Sequence, residues 1–414
     1  MSSRPALRLP PLRYLAAGLA ALFVVVHLAA VHHSDAYASR ASIDSLRAKL
    51  GLGSDGMAPV DYHSAAQEAA APTPASGLHD WAAQAALNST RANAAFVILA
   101  RNSDVWEILK SIRGIEDRFN RKYHYPYVFL NDQPFDDDFK HYTSAIASGP
   151  CSYGLVPKEQ WEEPEWIDEG KAAVERQKMA DNKVIYGDSR TYRRMCRYQS
   201  WAVFQHDLLT EYDYYWRIEP SVEFFCDIDY DPFMYMHENG KKYGWTVSLY
   251  EYEATIPTLW KTTKEFTDAH PEYLASPNML GWITNDKGDY NRCHFWSNFE
   301  IGSLAFFRGE AYTKYFEHLD RAGGFSYERW GDAPVHSIAA ALFLKPEEIH
   351  WFHECVLALS SVLLFVYKHP PFLHCPTNSA DRCACNPNDA NAFESHWYSC
   401  TSDYKRLRPG WASE

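Results

Sequence analysis

The chain has 414 residues, of which 46% are hydrophobic and 15% aromatic, so it can form one large domain or two medium ones. Its formal net charge is −13 and the sequence contains no run of basic residues, which argues against nucleic acid as a partner. A phosphate-bearing ligand would therefore need cations supplied locally, by arginine side chains or by a bound metal.

The N-terminal region resembles a membrane anchor. Three arginines precede an apolar run at residues 14–31, whose length of about 18 residues is at the lower limit for a helix that crosses a bilayer. Because the positive charges come first, residues 1–13 are predicted to stay cytosolic and the rest to be luminal. The alternative is a signal peptide cleaved near Ala36-Tyr37-Ala38.

Residues 32–93 are rich in Ala, Ser and Pro and lack apolar periodicity, so they predict a stem rather than a folded domain. The catalytic domain is expected to comprise residues 94–414. It opens with an apolar run at 94–100, a polar turn from Arg101 to Asp104, and apolar residues at helical spacing after it. A second strand follows at Tyr127–Leu130.

Strand, polar turn, helix and strand are the opening of an open α/β sheet, which binds ligands at the carboxyl ends of its strands. Arg101 lies at such an end and is a candidate contact for a nucleotide diphosphate or ribose. For Ser103 and Asp104, a helix-capping role is at least as plausible.

An arginine-rich segment surrounds Tyr192. In an acidic protein it is the best candidate for a basic lining of a phosphate site, although some of these residues could form a solvated face. The four arginines are Arg190, Arg193, Arg194 and Arg197.

Carboxylates concentrate between Tyr214 and Phe233. Two short strands, expected to pair antiparallel, would present Glu219, Asp227, Asp229 and Asp231 in a small region, where Asp227 and Asp229 form a D-x-D pair. Oxygens at i and i+2 can share a divalent cation with a sugar-nucleotide diphosphate, but a bare D-x-D is a weak signal.

The segment Tyr290–Ile301, YNRCHFWSNFEI, mixes polar and aromatic residues densely. Asn298 and Glu300 are two residues apart, so at a strand end both would face a cleft. Farther on, Asp332 is a plausible helix cap and His336 is as consistent with a core histidine as with a functional one.

Cysteines cluster near the C-terminus, including Cys383 and Cys385, without zinc-site spacing. They predict disulfides formed in an oxidising compartment.

Several of these segments resemble, in order, the fungal Kre2/Mnt1 (KTR) family of α-1,2-mannosyltransferases, glycosyltransferase family 15. The resemblance covers the chain from about Ala94 to the C-terminus and rests on ARNSDVWEIL, FLNDQPFDDDFK, TYRRMCR, the E-P of Glu219, YNRCHFWSNFEI, GDAPVH and YKHPP. It implies a GT-A-type α/β fold: a mostly parallel central sheet with flanking helices and a small antiparallel strand pair near a metal site.

The implied function is retaining transfer of mannose from GDP-mannose to mannose residues of O- or N-linked glycans of secreted proteins. The implied enzyme is a single-pass type II protein of the Golgi membrane with a luminal catalytic domain. The resemblance implies Mn²⁺ as cofactor, with Glu219 and His369 as its ligands. Tyr192 would border the sugar, and Glu300 would either attack the anomeric carbon or stabilise the charge that develops there.

The remaining site assignments are less direct. Arg101 and Asp227 are candidate donor contacts, Asp227 being the second choice to Glu219 as metal ligand. Asn298 is a candidate sugar contact, and Asp332 is assigned to substrate hydroxyls by the resemblance.

The chain departs from the family pattern at residues 355–366, where CVLALSSVLLFV separates two segments that are nearly adjacent in the family. We interpret this insertion as a retained intron or an error in the gene model; removing Cys355 would also leave an even number of cysteines. If the insertion is real, His369 is displaced. Two alternative functions remain open. One is a luminal mannan-binding or structural protein that is catalytically inactive because the insertion breaks the metal site, and the other is a secreted glycoside hydrolase that uses Glu219 and Glu300 as acid and nucleophile.

Overall fold

The computed structural model describes residues 91–353, 357–359, 383 and 397–407. All of them belong to one compact unit, Asp80–Glu414. The predicted anchor, most of the predicted stem and His369 lie outside the described residues. Among the residues described, no helix combines the length and apolar character needed to cross a membrane.

A seven-stranded sheet organises the domain, with the strand order β10-β6-β9-β4-β1-β2-β3. The pairs β1–β2, β2–β3, β1–β4 and β6–β10 are parallel, and only β9 runs against its neighbours β4 and β6. The strands are Ala94–Leu99 (β1), Tyr127–Asn131 (β2), Cys151–Leu155 (β3), Tyr214–Ile218 (β4), Val222–Phe224 (β5), Tyr243–Trp245 (β6), Ser248–Tyr250 (β7), Cys293–Phe295 (β8), Phe299–Ser303 (β9), Ile349–Trp351 (β10) and Leu357–Leu359 (β11).

Helices cover both faces of the sheet. The longer ones are Val105–Ile115 (α1), Asp137–Ile146 (α2), Glu169–Asp181 (α3), Arg190–Ser200 (α4), Pro232–Glu238 (α5), Leu259–Ala269 (α6), Glu310–Ala322 (α7), Asp332–Phe343 (α8) and Thr401–Leu407 (α9). Short helical turns are Arg121–Tyr123, Lys158–Trp161, Leu280–Ile283, Leu304–Phe307 and Gly324–Tyr327. The predicted mostly parallel sheet with flanking helices is confirmed.

The central strands are apolar throughout because each face of the sheet is covered. In β1, Phe96 and Ile98 enter one hydrophobic core, whereas Ala95 and Val97 enter the other on the opposite face. Helix α1 forms where predicted, since its buried residues recur at helical spacing against the first of these cores. Its axis continues through a π-helical stretch, Glu116–Asn120.

The predicted hairpin of carboxylate-bearing strands is wrong. Strand β4 pairs with β1 and β9, and β5 pairs instead with β11, which lies within the suspected insertion. The antiparallel pairs outside the main sheet are therefore β5–β11 and β7–β8. Asp231, rather than joining an acidic site, accepts hydrogen bonds from the N–H groups of Phe233 and Met234 and caps α5.

Two disulfides confirm the prediction of paired cysteines, Cys226–Cys383 and Cys293–Cys400. Cys151 and Cys196 are free thiols, and burial raises the pKa of Cys151 to about 11. These two free thiols leave the parity of the cysteines unchanged: seven others remain, and removing Cys355 would leave six.

Candidate active site

Two cavities meet beside the end of β4. The first has a volume of about 360 Å³ and the second about 260 Å³. Both are lined by Tyr186, Tyr192, Met195 and Glu219. A ligand that extends across this shared wall would therefore touch both compartments.

The first cavity lies at the carboxyl ends of β1 and β2, where the sheet predicts ligand binding. Arg101 and Asp104 line it, as predicted for Arg101, and the two side chains form an ion pair of 2.9 Å. The hydrogen bond and charge of Asp104 raise the pKa of Arg101. The Arg101 side chain is 69% exposed, so its guanidinium can also reach a bound anion.

Tyr192 stands where the two cavities join because α4 begins beside them. Ser189 caps the helix by accepting the N–H of Tyr192 at 3.1 Å. The Tyr192 ring stacks on Tyr186, with centroids 4.5 Å apart and planes at 14°. On the same ring, the Arg329 guanidinium lies 5.1 Å from the centroid, so the predicted sugar-site tyrosine is held by an aromatic and a cationic neighbour.

Tyr186 has φ = +54°, a left-handed conformation that bulky residues rarely adopt. Its carbonyl oxygen accepts hydrogen bonds from the Ser189 N–H at 3.1 Å and from Arg193 Nη1 at 3.3 Å. The local structure thus fixes this ring against Tyr192.

The four arginines around Tyr192 do not line either cavity, contrary to prediction. Arg190 and Arg194 both pair with Glu163, and Arg197 pairs with Asp320. Arg193 is buried and donates to backbone carbonyls. Helical spacing turns these side chains away from the cleft while Tyr192 and Met195 point into it.

The residue that follows β4, Glu219, lies at the junction of the cavities. Its Oε1 accepts a hydrogen bond of 2.6 Å from Arg217 Nε. Arg217 is buried and also donates to Asp332, which accepts a further hydrogen bond of 2.8 Å from Ser297 Oγ. One guanidinium therefore connects two carboxylates of the cleft.

Burial raises the pKa of Glu219, and Arg217 offsets this only in part because Asp332 and Asp104 add negative charge. Burial also tends to raise the pKa of Asp332, but Arg217, His336 and Ser297 together bring the pKa of that carboxyl below its ordinary value. Asp332 is the first residue of α8 rather than its N-cap, which is Gly331.

Glu300 is fully buried behind this layer. The hydroxyls of Tyr215 and Tyr243 donate to its carboxylate, the latter at 2.7 Å, and His336 Nδ1 lies 2.7 Å from Oε2. Gly302 makes room for this arrangement, because a Cβ there would come within 2.6 Å of the Tyr215 ring. Burial tends to raise the pKa of Glu300, but His336, Arg217 and Tyr215 bring it below its ordinary value.

The second cavity collects the other predicted substrate contacts, Asn298 and Asp332, beside Ser297 and Trp296. The expectation that Asn298 and Glu300 both face a cleft is wrong for Glu300, because Asn298 lies in the turn before β9 and lines this space, whereas Glu300 lies within β9. Phe299 and Glu300 belong to β9, where Glu300 points into the packed interior.

Asp227 is not brought to this cleft. Its carboxylate pairs with Arg118 at 2.5 Å, and together they line a separate surface groove. This geometry gives no support to a donor-binding role for Asp227, and the reason is the early end of β5 at Phe224, which leaves Asp227 in a loop beside the π-helical stretch.

Of the two predicted manganese ligands, Glu219 belongs to the described residues and lies in the cleft. Within that part of the chain, no group of three or more His, Cys, Asp or Glu side chains forms a ready cation site. The cleft nevertheless fits a metal ligand at Glu219, because burial raises the pKa of this carboxyl despite Arg217 and a bound cation would stabilise its ionised form. His369, its predicted partner, lies outside the described residues.

The sequence pattern did not assign roles to Tyr186, Arg217 or Arg329. Arg217 shares a strand face with the predicted ligand Glu219, and that period-2 spacing was the available signal. Tyr186 precedes a glycine, but nothing in the sequence predicts its left-handed backbone. Arg329 comes close to Tyr192 only through tertiary packing.

The sheet order, its single antiparallel inner strand and the cavities at its carboxyl edge define a glycosyltransferase of the GT-A fold type. The solved structure of core-mannan synthase A from Aspergillus fumigatus, in its Mn/GDP form, has a TM-score of 0.71 and 42% identity, covering 77% of this chain and 86% of that one. The mannosyltransferase Ktr4p from S. cerevisiae, solved in complex with GDP, has a TM-score of 0.70 and 37% identity, covering 76% and 82%.

The chain belongs to the glycolipid 2-alpha-mannosyltransferase family, glycosyltransferase family 15, whose model matches residues 60–408. Glycolipid 2-alpha-mannosyltransferase 1 of Candida albicans is 54% identical over 319 residues, covering 76% of this chain and 71% of the relative. Alpha-1,2 mannosyltransferase KTR1 of Saccharomyces cerevisiae is 51% identical over 322 residues, covering 77% and 79%. The predicted family is thereby confirmed.

Proposed function

We propose that this protein is a retaining α-1,2-mannosyltransferase that uses GDP-mannose as donor and mannose residues of O- or N-linked glycans as acceptors. The proposal includes Mn²⁺ as cofactor and a type II orientation in the Golgi membrane. Its support comes from family membership, from relatives named as α-1,2-mannosyltransferases, and from related structures titled as GDP and Mn/GDP complexes.

The observation that carries the proposal is the meeting of two cavities at Glu219. Sugar transfer needs a nucleotide compartment and an acceptor compartment that open onto one anomeric carbon. The first cavity, at the carboxyl ends of β1 and β2, suits the nucleotide, and the second, with Asn298, Ser297 and Asp332, suits sugar hydroxyls.

Glu219 and His369 would hold Mn²⁺, which when bound neutralises the charge of the leaving diphosphate. Arg217 holds Glu219 in place from the side of the sheet, and the same guanidinium fixes Asp332 toward the acceptor compartment. Tyr192 borders the transferred sugar with its orientation set by Tyr186 and Arg329. Asn298 and Ser297 supply hydrogen-bonding groups for the acceptor.

The test is an assay of the purified protein with GDP-mannose, Mn²⁺ and methyl α-mannoside. We expect an α-1,2-linked dimannoside and stoichiometric GDP, with turnover lost when Mn²⁺ is chelated. We expect Glu300→Gln and His369→Ala each to lose nearly all turnover, with nucleotide affinity falling mainly in the histidine variant.

Two outcomes would contradict the proposal. Hydrolysis of an aryl mannoside without nucleotide would favour a glycoside hydrolase, and mannoside binding without any GDP release would favour an inactive lectin-like protein. Repeating the assay after deletion of residues 355–366 separates an inherently inactive protein from one whose site is disturbed by the insertion.

A further inference from the structure

Two buried histidines of this domain differ in what faces their ring nitrogens. His336 is 1% exposed; its Nδ1 lies 2.7 Å from Glu300 Oε2, and its Nε2 lies 3.1 Å from the carbonyl oxygen of Gln199. His206 is 7% exposed; its Nδ1 accepts the N–H of Leu208 at 3.1 Å, and its Nε2 lies 3.3 Å from the carbonyl oxygen of Leu155.

A neutral imidazole has one donor and one acceptor nitrogen. That form satisfies His206, which faces one donor and one acceptor. At His336 both nitrogens face oxygens, and a backbone carbonyl can only accept. Either His336 is protonated on both nitrogens beside an ionised Glu300, or Glu300 is protonated and donates to a neutral His336.

The surroundings of Glu300 favour the ionised pair. Two tyrosine hydroxyls donate to the carboxylate, and Arg217 is its register partner on β4. A carboxylate that accepts several hydrogen bonds near a cation is stabilised in its charged form. The other titratable groups that act on the network from neighbouring elements are Tyr312 on α7 and Asp332 on α8.

We propose that His336 is a positioning residue, an imidazolium that holds Glu300 as a buried anion behind the floor of the cleft. Glu300 then influences the reacting sugar through Arg217, which touches both Glu219 and Asp332, and makes no covalent attack. The carboxylate is fully buried and its oxygens are occupied by the tyrosines and the histidine, so it offers no face to the anomeric carbon. This inference rests on the proposed function for its kinetic consequence but not for the charge state.

The charge state is tested by ¹⁵N NMR of the full protein labelled at histidine, at pH 7. We expect one buried histidine with both nitrogens protonated, whose signals change in Glu300→Gln and disappear in His336→Gln. His206, identified by His206→Gln, should show a neutral ring. A neutral His336 in the wild type would overturn the proposal, and this measurement needs no turnover.

The kinetic consequence is tested by the pH dependence of kcat. Gln at position 336 retains an N–H donor but carries no charge, so the acid limb of the profile should move to higher pH by about one unit or more as Glu300 loses its counter-charge. His206→Gln should keep the wild-type profile. A wild-type acid limb in His336→Gln would reduce the histidine to a packing role and contradict the proposal.

The covalent question is tested separately by quenching wild-type protein with GDP-mannose during turnover. Intact mass spectrometry should then show no hexosyl adduct, and an adduct mapped to Glu300 would overturn the inference. If the wild type transfers no mannose at all, the proposed function fails, while the NMR result still decides the charge state of His336.

Discussion

Two glutamates on neighbouring strands have opposite electrostatic environments. Glu219 follows β4 at the junction of two cavities, and its pKa is raised by burial that Arg217 offsets only in part. Glu300 on β9 is more deeply buried, yet its pKa is lowered because His336, Arg217 and Tyr215 outweigh burial. Burial alone therefore does not set the charge of either group; the supply of donors and cations does.

The difference separates two roles. A carboxylate beside a cavity whose pKa stays raised by burial despite an arginine partner is suited to bind a cation that arrives with the ligand. A carboxylate already satisfied by the protein is suited to hold its neighbours in fixed positions. Arg217 connects the two, since it lies opposite Glu300 in the sheet and contacts Glu219 directly.

The largest effect on stability is expected from Arg217→Met, which removes the guanidinium that joins Glu219 and Asp332. Two buried or partly buried carboxylates, Glu219 and Asp332, would lose their cation, and the free energy of unfolding should fall by about 5 kcal/mol. Urea denaturation followed by tryptophan fluorescence measures this. Arg113→Met, which removes an exposed ion pair with Asp117, is the control and should cost less than about 1 kcal/mol.

The Glu219→Gln variant should keep the fold but lose most of its mannosyl-transfer activity. Removing the charge of a metal ligand is expected to lower kcat/KM for mannosyl transfer by about 1,000-fold, equivalent to about 4 kcal/mol. Steady-state release of GDP across a manganese titration measures the change. Asp227→Asn serves as control because its side chain lies in a separate groove; a similar loss there would restore Asp227 as a ligand.

Tyr243→Phe removes a hydrogen bond to the Glu300 carboxylate without changing ring volume. Because the acceptor is charged, the free energy of unfolding should fall by about 2 kcal/mol. Tyr315→Phe is the matched control, since that buried hydroxyl pairs with the neutral Thr263 at 2.9 Å, and its loss should cost about 1 kcal/mol. Equal losses in both variants would argue against a charged Glu300.

The pH dependence of stability should distinguish the two glutamates by sign. A lowered pKa means that the unfolded state binds more protons, so the contribution of Glu300 is present above about pH 4.3 and is lost as pH falls. The raised pKa of Glu219 gives the opposite slope, a contribution lost as pH rises above that value. Urea unfolding of wild type, Glu300→Gln and Glu219→Gln from pH 3.5 to 7, with chelator present, measures both slopes. Parallel slopes for the two variants would contradict the assignment.

Local sequence predicted much of this fold because apolar runs and helical spacing are local signals. The periodicity that begins at Val105 gave α1, and the apolar run at 94–100 gave β1. Strand pairing depends on residues distant in sequence. The predicted carboxylate hairpin is therefore wrong, because β5 pairs with β11 and not with β4.

The site residues also divide into those that could be predicted from the sequence and those whose surroundings depend on distant parts of the chain. Glu219, Tyr192 and Asp332 could be placed in one cleft through the family resemblance, and Asn298 through its strand-end position; the structure brings all four together. The burial of Glu300 could not be predicted, since it depends on tyrosines from β4 and β6 and a histidine from α8. The arginines of α4 were misassigned because their partners Glu163 and Asp320 are distant in sequence.

The division of roles between the glutamates is tested most directly by GDP binding measured by titration calorimetry with and without Mn²⁺. The account predicts that manganese strengthens GDP binding in wild type and in Glu300→Gln, and that this enhancement is lost in Glu219→Gln. Loss of the enhancement in Glu300→Gln, with its retention in Glu219→Gln, would contradict the account.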